Sequence, residues 1–304
     1  MKNIMLRKTM PLVAATWVDA FRRVRNRIAL VAAAICAAAA PLSSFAEAKE
    51  ATLKTTYSGS TLTGFRVLVK LSASNDAYGF SYTEAGGASH NIWFTSADGA
   101  TVYPHEIDKW DTSGDSFVWV RLPELASGTT FKMHWSDNAG DVQQPASGNV
   151  WDGFVGVWHM NETGTTAEPD STVNGLNATP LTSTGGSTSL DTATGAVGAG
   201  RAISSDAKYF SVGSNDNPYH STITTKANFS VSGWWKLSST PNGNGYQRLI
   251  CGMSSGSLHS WDVWRENGSN IGVRSGDGSN NNSSTSYGVA IAAGDTWHYL
   301  TVVW

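Results

Sequence analysis

The sequence predicts an all-β protein: two β-sandwich domains in tandem behind a helical export signal. Three observations carry this prediction. From residue 52 onward helical periodicity is almost absent, and short alternating or β-branched runs recur at a spacing of roughly 8–20 residues, separated by Gly, Asn, Ser and Asp. Charged residues make up only 15% of the 304 residues, while 31 are glycine and 11% aromatic, a balance poorly suited to a coiled coil or a disordered chain. There are just two cysteines, Cys36 and Cys251, so packing rather than a disulfide framework must hold the fold.

The elements follow in chain order. Residues 1–27 are basic, with Arg22, Arg23, Arg25 and Arg27 just ahead of the apolar run IALVAAAICAAAA, then Pro41 and SSFAEA. A charged start, a short apolar stretch and small residues at Ser44/Ala46 or Ala46/Ala48 describe a signal peptide over residues 1–48, and hence an exported protein, whether secreted, periplasmic or at the cell surface. An uncleaved anchor is the alternative, although the apolar run is short against the ~20 residues of a stable span. Ile35 ahead of Cys36 does not suit a lipoprotein box. From Glu47 onward, 14 basic residues face 23 acidic ones, a balance of −9. That argues against nucleic acid or an anionic membrane as partner, since both need clustered Lys and Arg.

The first domain, residues 52–140, contains the runs FRVLVKLS (65–72), NIWFTS (91–96), SFVWVRLP (116–123) and TFKMHWS (130–136). In the third, Phe117, Trp119 and Arg121 share one face and Val118, Val120 and Leu122 the other, so this strand should be central and covered on both sides. A polar, Gly/Asn-rich linker is expected over 141–152. The second domain, 153–304, contains GFVGVWHM (153–160), KYFSVGS (208–214), NFSVSGWWKL (228–237), QRLICGM (247–253), SWDVWRE (260–266), NIGVRS (270–275) and WHYLTVVW (297–304). Between them, 161–199 reads as ordered loops.

Residues 65–136 resemble the DUF2341 family, a β-rich module of unknown function in exported bacterial proteins. The matching pieces are NIWFTSADG, EIDKWD, the VWVRLPELASGT hairpin and the closing aromatic strand. Residues 153–304 resemble the laminin-G-like, concanavalin A-type lectin jelly roll, through GVWHMNE, DSTVNGLNAT, GAGRAISSDAKYFSVG, NFSVSGWWKL and GDTWHYLTVVW. The resemblance implies further strands after Trp304, so the second domain is expected to be incomplete at its C-terminus.

Three groups of residues point to chemistry. In HEIDKWD, His105, Glu106, Asp108 and Asp111 gather three carboxylates; in an extended strand Glu106 and Asp108 share a face at roughly 7 Å, near the separation two-carboxylate glycosidases use. The string is similar to the Glu-x-Asp-x-x-Glu strand of one jelly-roll glycosidase family, but its third acid is an Asp, and Lys109 and Trp110 stand where that family is mostly apolar. The competing reading is a rim strand of solvated acids in which Trp110 packs and Asp111 opens a turn. In EPDSTVNGLNAT (168–179), Asp170, Asn174 and Asn177 offer hard oxygens on a glycine-bearing loop, as calcium requires, and the lectin-like resemblance implies a structural calcium there. The same residue types also simply build turns, and Asp216 and Asp277 are further candidates.

The third group is aromatic. Trp234 and Trp235 must point to opposite strand faces, one into the core and one outward. Trp264, Arg265 and Asn267, near a turn, are the candidate ligand surface. Cys251 reads as a small buried hydrophobe and His298 as a structural histidine. No CxxC pair, HExxH string or phosphate loop is present. The expectation is therefore a non-catalytic exported protein that binds glycan or another surface macromolecule through its lectin-like domain. A polysaccharide hydrolase using Glu106 and Asp108 is the first alternative, and an adhesive spacer the second.

Overall fold

The computed structural model describes residues 48–73, 78–143, 150–203, 208–212, 228–237, 247–255, 258–266, 270–275, 283–290, 294 and 296–304. The signal segment, Asn267, Asp216 and Asp277 lie outside the described residues. The protein is all-β and built from several sheets; among the described residues the helical content is a 3-10 turn at Ser89–Asn91.

Two sheets organise the first part. One has the order β1-β7-β3-β4, from β1 (Lys49–Lys54), β3 (Ile92–Ser96), β4 (Val102–Tyr103) and β7 (Thr130–Trp135). The other has the order β2-β6-β5, from β2 (Leu62–Ser72), β5 (His105–Lys109) and β6 (Asp115–Leu125). All pairings are antiparallel. One core takes Leu53 from β1, Val69 and Leu71 from β2, Phe94 from β3, Val118, Val120 and Leu122 from β6, and Phe131 and Met133 from β7. These are the alternate, β-branched or aromatic positions that a period of two sends to one side. Strand β6 is central, as its two apolar faces require. Its inward residues are fully buried, and its outward residues, Phe117, Trp119 and Arg121, are only half exposed.

What covers that outward face is not a sheet. The run GFVGVWHM, expected as a strand, is irregular throughout. Its backbone groups bond to side chains and loop atoms instead of a ladder: Val157 N–H donates to Asp170 Oδ1 (3.0 Å), Ser171 N–H to the Val157 carbonyl (2.9 Å), and Asn174 Nδ2 to the Val155 carbonyl (2.9 Å). An apolar run whose polar backbone is satisfied in this way has no need of a strand partner. The segment 150–154 is pinned alongside. Arg66 on β2 donates to the carbonyls of Val150 (2.6 Å) and Asp152 and lies over the Phe154 ring (4.8 Å), while Arg121 pairs with Asp152 (2.9 Å).

Further along, short two-stranded ribbons join β8 (Thr179–Thr182) to β11 (Lys208–Ser211) and β9 (Asp191–Thr194) to β10 (Ala199–Ala202). A four-stranded sheet runs β13 (Gln247–Ser255), β14 (Leu258–Arg265), β15 (Asn270–Ser275), β16 (Ser283–Ala290). A ribbon pairs β12 (Ser230–Trp235) with β17 (His298–Val303). Val263 and Ile271 form a second core with Leu249, Ile250, Leu300, Val302 and Trp304 around them.

Beneath β10 lies a buried ion pair absent from the sequence reading. Arg201 donates to Glu168 Oε1 at 2.8 Å and to the Gly164 carbonyl at 2.7 Å, both side chains being essentially inaccessible. Burial pushes the Glu168 carboxyl up, against the N–H of Glu162 and the Arg201 charge, which favour its ionised form. Removing one partner strands the other in a dry interior. Arg201→Ala should therefore cost about 3–5 kcal/mol by urea unfolding, and a paired Arg201→Met, Glu168→Leu change should recover most of it.

Candidate functional site

The polar centre of the molecule lies on the outward face of β5. A bulge between Ile107 and Lys109 leaves Asp108 without a cross-strand partner and re-aims its side chain. Asp108 and Glu106 both reach His159, which the irregular 153–160 segment carries in from the other side. His159 Nδ1 bonds Asp108 Oδ2 at 2.9 Å, and its Nε2 stands 3.5 Å from Glu106 Oε1, an ion-pair distance rather than a hydrogen bond. Trp119 Nε1 donates to the same Asp108 Oδ2 (2.9 Å). Glu106 accepts from Ser171 Oγ (2.7 Å) and from Trp151 Nε1. Trp151 packs edge-on against Trp119, with centroids 5.3 Å apart.

This corrects the rim-strand reading of the acids: Asp108 is buried and Glu106 is enclosed by protein donors. The other half of that reading holds. Trp110 packs at the edge of the first core, and Asp111 builds a turn through Ser113 and Gly114.

The electrostatics follow from the geometry. Burial alone would push the His159 imidazole down, but its bond to Asp108, the approach of Glu106 and the charges of both acids lift it from 6.5 to about 9. Burial likewise works against the Glu106 carboxylate, yet the groups of His159, Ser171 and Trp151 outweigh it and hold the acid below its usual range. The centre therefore carries an imidazolium between carboxylates at neutral pH. A glycosidase needs one carboxyl kept protonated and open to substrate. Glu106 is ionised with both oxygens engaged, so this arrangement suits holding a shape rather than delivering a proton.

The backbone next to His159 shows the same constraint. Met160 has φ 58°, the sole left-handed non-glycine backbone among the described residues. Side chains avoid that region at a cost of about 1–2 kcal/mol, and it is tolerated where surrounding contacts fix the chain. Here His159 and Asn161 flank it, and Asn161 Nδ2 reaches the Asp108 carbonyl (3.4 Å).

The remaining sequence candidates fall elsewhere. Asp170, Asn174 and Asn177 do come together, but as a loop clasp. Asp170 Oδ1 accepts from Val157 and Thr172 N–H, its Oδ2 from Thr172 Oγ1 and Leu176 N–H, and Asn177 Oδ1 accepts from Asp170 N–H. A calcium ion there would have to displace bonds the loop already makes. Trp264 and Arg265 are buried inside the sheet instead of forming a surface, because β14 runs between β13 and β15 with both faces covered. Of the adjacent tryptophans, Trp234 is exposed and Trp235 half-buried, as strand alternation demands. Burial lifts the Cys251 thiol to about 11, far from a reactive thiolate. Residues 252–256, GMSSG, match the spacing of a nucleophile elbow, but Ser254 lies within β13, which is followed by β14 and not by a helix.

His159, which joins Asp108 and Glu106 in this polar centre, is the residue the sequence reading did not single out; its single signal was position, one residue ahead of the MNE string. No protein-family model matches the chain, and neither the curated proteins nor the solved structures provide a match.

Because folding favours the imidazolium, His159 contributes its full stabilisation below the unfolded pKa of 6.5 and loses it as pH rises through 9. The loss is of order 3 kcal/mol. Urea unfolding at pH 6 and pH 10 should show this decrement in the native chain and not in His159→Gln; equal decrements in both would remove His159 from the centre.

Proposed function

We propose that this chain is a non-catalytic exported protein that binds neutral carbohydrate on an exposed aromatic ribbon. The fold in this reading is two sandwiches, the second of concanavalin A-like jelly-roll type. It is supported by one core shared by the two sheets of residues 48–135 and another shared by β12–β17 and β13–β16.

The observation that carries the binding assignment is the cross-strand pair Trp234–Tyr299. Its rings are 5.1 Å apart and tilted by 53°, and the residues are 45% and 57% exposed. Ser232 and Thr301, the next register pair on that face, are exposed as well. Tilted rings beside hydroxyls match a pyranose, whose C–H face is apolar and whose edge is a row of hydroxyls. The excess of acidic over basic residues past the signal segment suits a neutral glycan better than an anionic one. The enclosure of Glu106 and Asp108 by Trp119, Trp151, Ser171 and His159 supports binding over hydrolysis.

A glycan array probed with the whole chain tests the reading. A neutral glycan should be retained, and Trp234→Ala and Tyr299→Ala should each weaken it at least about tenfold, roughly 1.4 kcal/mol, with little change in thermal midpoint. Retention of no glycan, or glycan cleavage that Glu106→Gln abolishes, would overturn it.

A further inference from the structure

A second feature lies on the far side of Asp108 from His159. Both protein donors to this carboxylate, Trp119 Nε1 and His159 Nδ1, bind Oδ2. Oδ1 is buried without a hydrogen-bond partner, in a side chain only 4% exposed. A buried carboxylate oxygen left unpaired is costly, and such an atom beside a cavity marks a place where a ligand or water donates.

The cavity is present. It measures about 510 Å³ and is lined by Asp108, Lys109, Asn161, Thr192, Thr194 and Gly198, together with Ala193 and Ala199. Ordinary ligand clefts span roughly 300–1,000 Å³. Gly198, at φ +60°, turns the β9–β10 hairpin over the acid, and a Cβ there would stand 2.8 Å from Oδ1. The glycine thus keeps open the space the unpaired oxygen faces. Asn161 spends its Nδ2 on the Asp108 carbonyl, leaving its amide oxygen as a second acceptor. Thr192 and Thr194, exposed and two apart on β9, add hydroxyls that donate or accept.

The charges narrow the ligand. Lys109 lines the cavity with its ammonium paired to Asp111 at 3.1 Å, and His159 lies against the other oxygen of Asp108, so a metal cation meets the imidazolium and a carboxylate it already neutralises. An anion meets the unpaired carboxylate oxygen. A neutral molecule rich in hydroxyl donors meets neither penalty. From this geometry we infer a second binding site, formed by Asp108, Asn161, Thr192, Thr194 and Gly198, for a neutral polyhydroxylated ligand: a sugar unit whose adjacent hydroxyls donate to Asp108 Oδ1 and Asn161 Oδ1. The site is separate from the Trp234–Tyr299 ribbon and stands on different residues.

The test is ligand-observed NMR and calorimetry on the whole chain with glucose, galactose, mannose and N-acetylglucosamine, and with calcium chloride alone. At least one sugar should bind. Thr194→Val, an exposed change on the β9–β10 hairpin, should weaken it about tenfold, the loss of one hydrogen bond. Gly198→Ala should abolish it, and Trp234→Ala should leave it unchanged. A Thr192→Val, Thr194→Val double variant keeps the test decisive should Gly198→Ala fail to fold. Binding of none of the four sugars, sugar binding lost only in Trp234→Ala, or calcium binding lost in Asp108→Asn without any sugar binding would each overturn the site. Failure here with the ribbon intact leaves the glycan array result standing, and the reverse holds equally.

Discussion

One protonated imidazole set between two carboxylates organises this molecule. His159 brings a stretch of irregular chain onto the outer face of β5 and fixes it there, and the neighbouring contacts depend on that placement. Trp151 reaches Glu106, Trp119 reaches Asp108, and Ser171 closes over Glu106. Enclosing three ionisable groups is expensive unless they neutralise one another and their remaining atoms find donors. The centre meets this condition except at Asp108 Oδ1 and at His159 Nε2, which has the Glu106 charge 3.5 Å away in place of a hydrogen bond, and the left-handed backbone at Met160 lies beside these contacts.

The same logic recurs at smaller scale. Residues 150–203 contain little regular ladder, yet their backbone is well satisfied because carboxylates and amides serve as surrogate strands. Asp170 collects four donors from its own loop and its surroundings, and Glu168 with Arg201 anchors the next stretch. The two apolar cores on either side are built conventionally by alternation. The chain between them is held chiefly by polar groups, which specify geometry more sharply than oil-like packing does.

Alternation made much of the β-architecture legible. The strands containing FRVLVKLS, NIWFTS, SFVWVRLP, TFKMHWS and the later aromatic runs form where the period of two placed them, and β6 is central for the reason its two faces gave. Periodicity misled at GFVGVWHM, because an apolar run reads the same whether its backbone pairs with a strand or with side chains from a distant loop. It set Glu106 and Asp108 on one face but was silent on what covers them. Two acids on a strand signal solvent unless one knows that a histidine fifty residues on will cover them, and that pairing exists only in three dimensions. Trp264 and Arg265 went astray for a related reason: proximity to a turn suggested exposure, whereas β14 is an interior strand.

The strand order also bears on how the chain is assembled. β1 and β2 follow one another directly, yet they enter different sheets, and β1 has its partner in residues 130–135. A ribosome therefore delivers the first strand long before anything exists for it to zip against, and His159 emerges later still. Closing such distant pairings is slow, and meanwhile an unpaired edge stays open to the wrong neighbour. A nascent chain of this topology gains from having its first strand kept from other edges until residues 130–159 have been made.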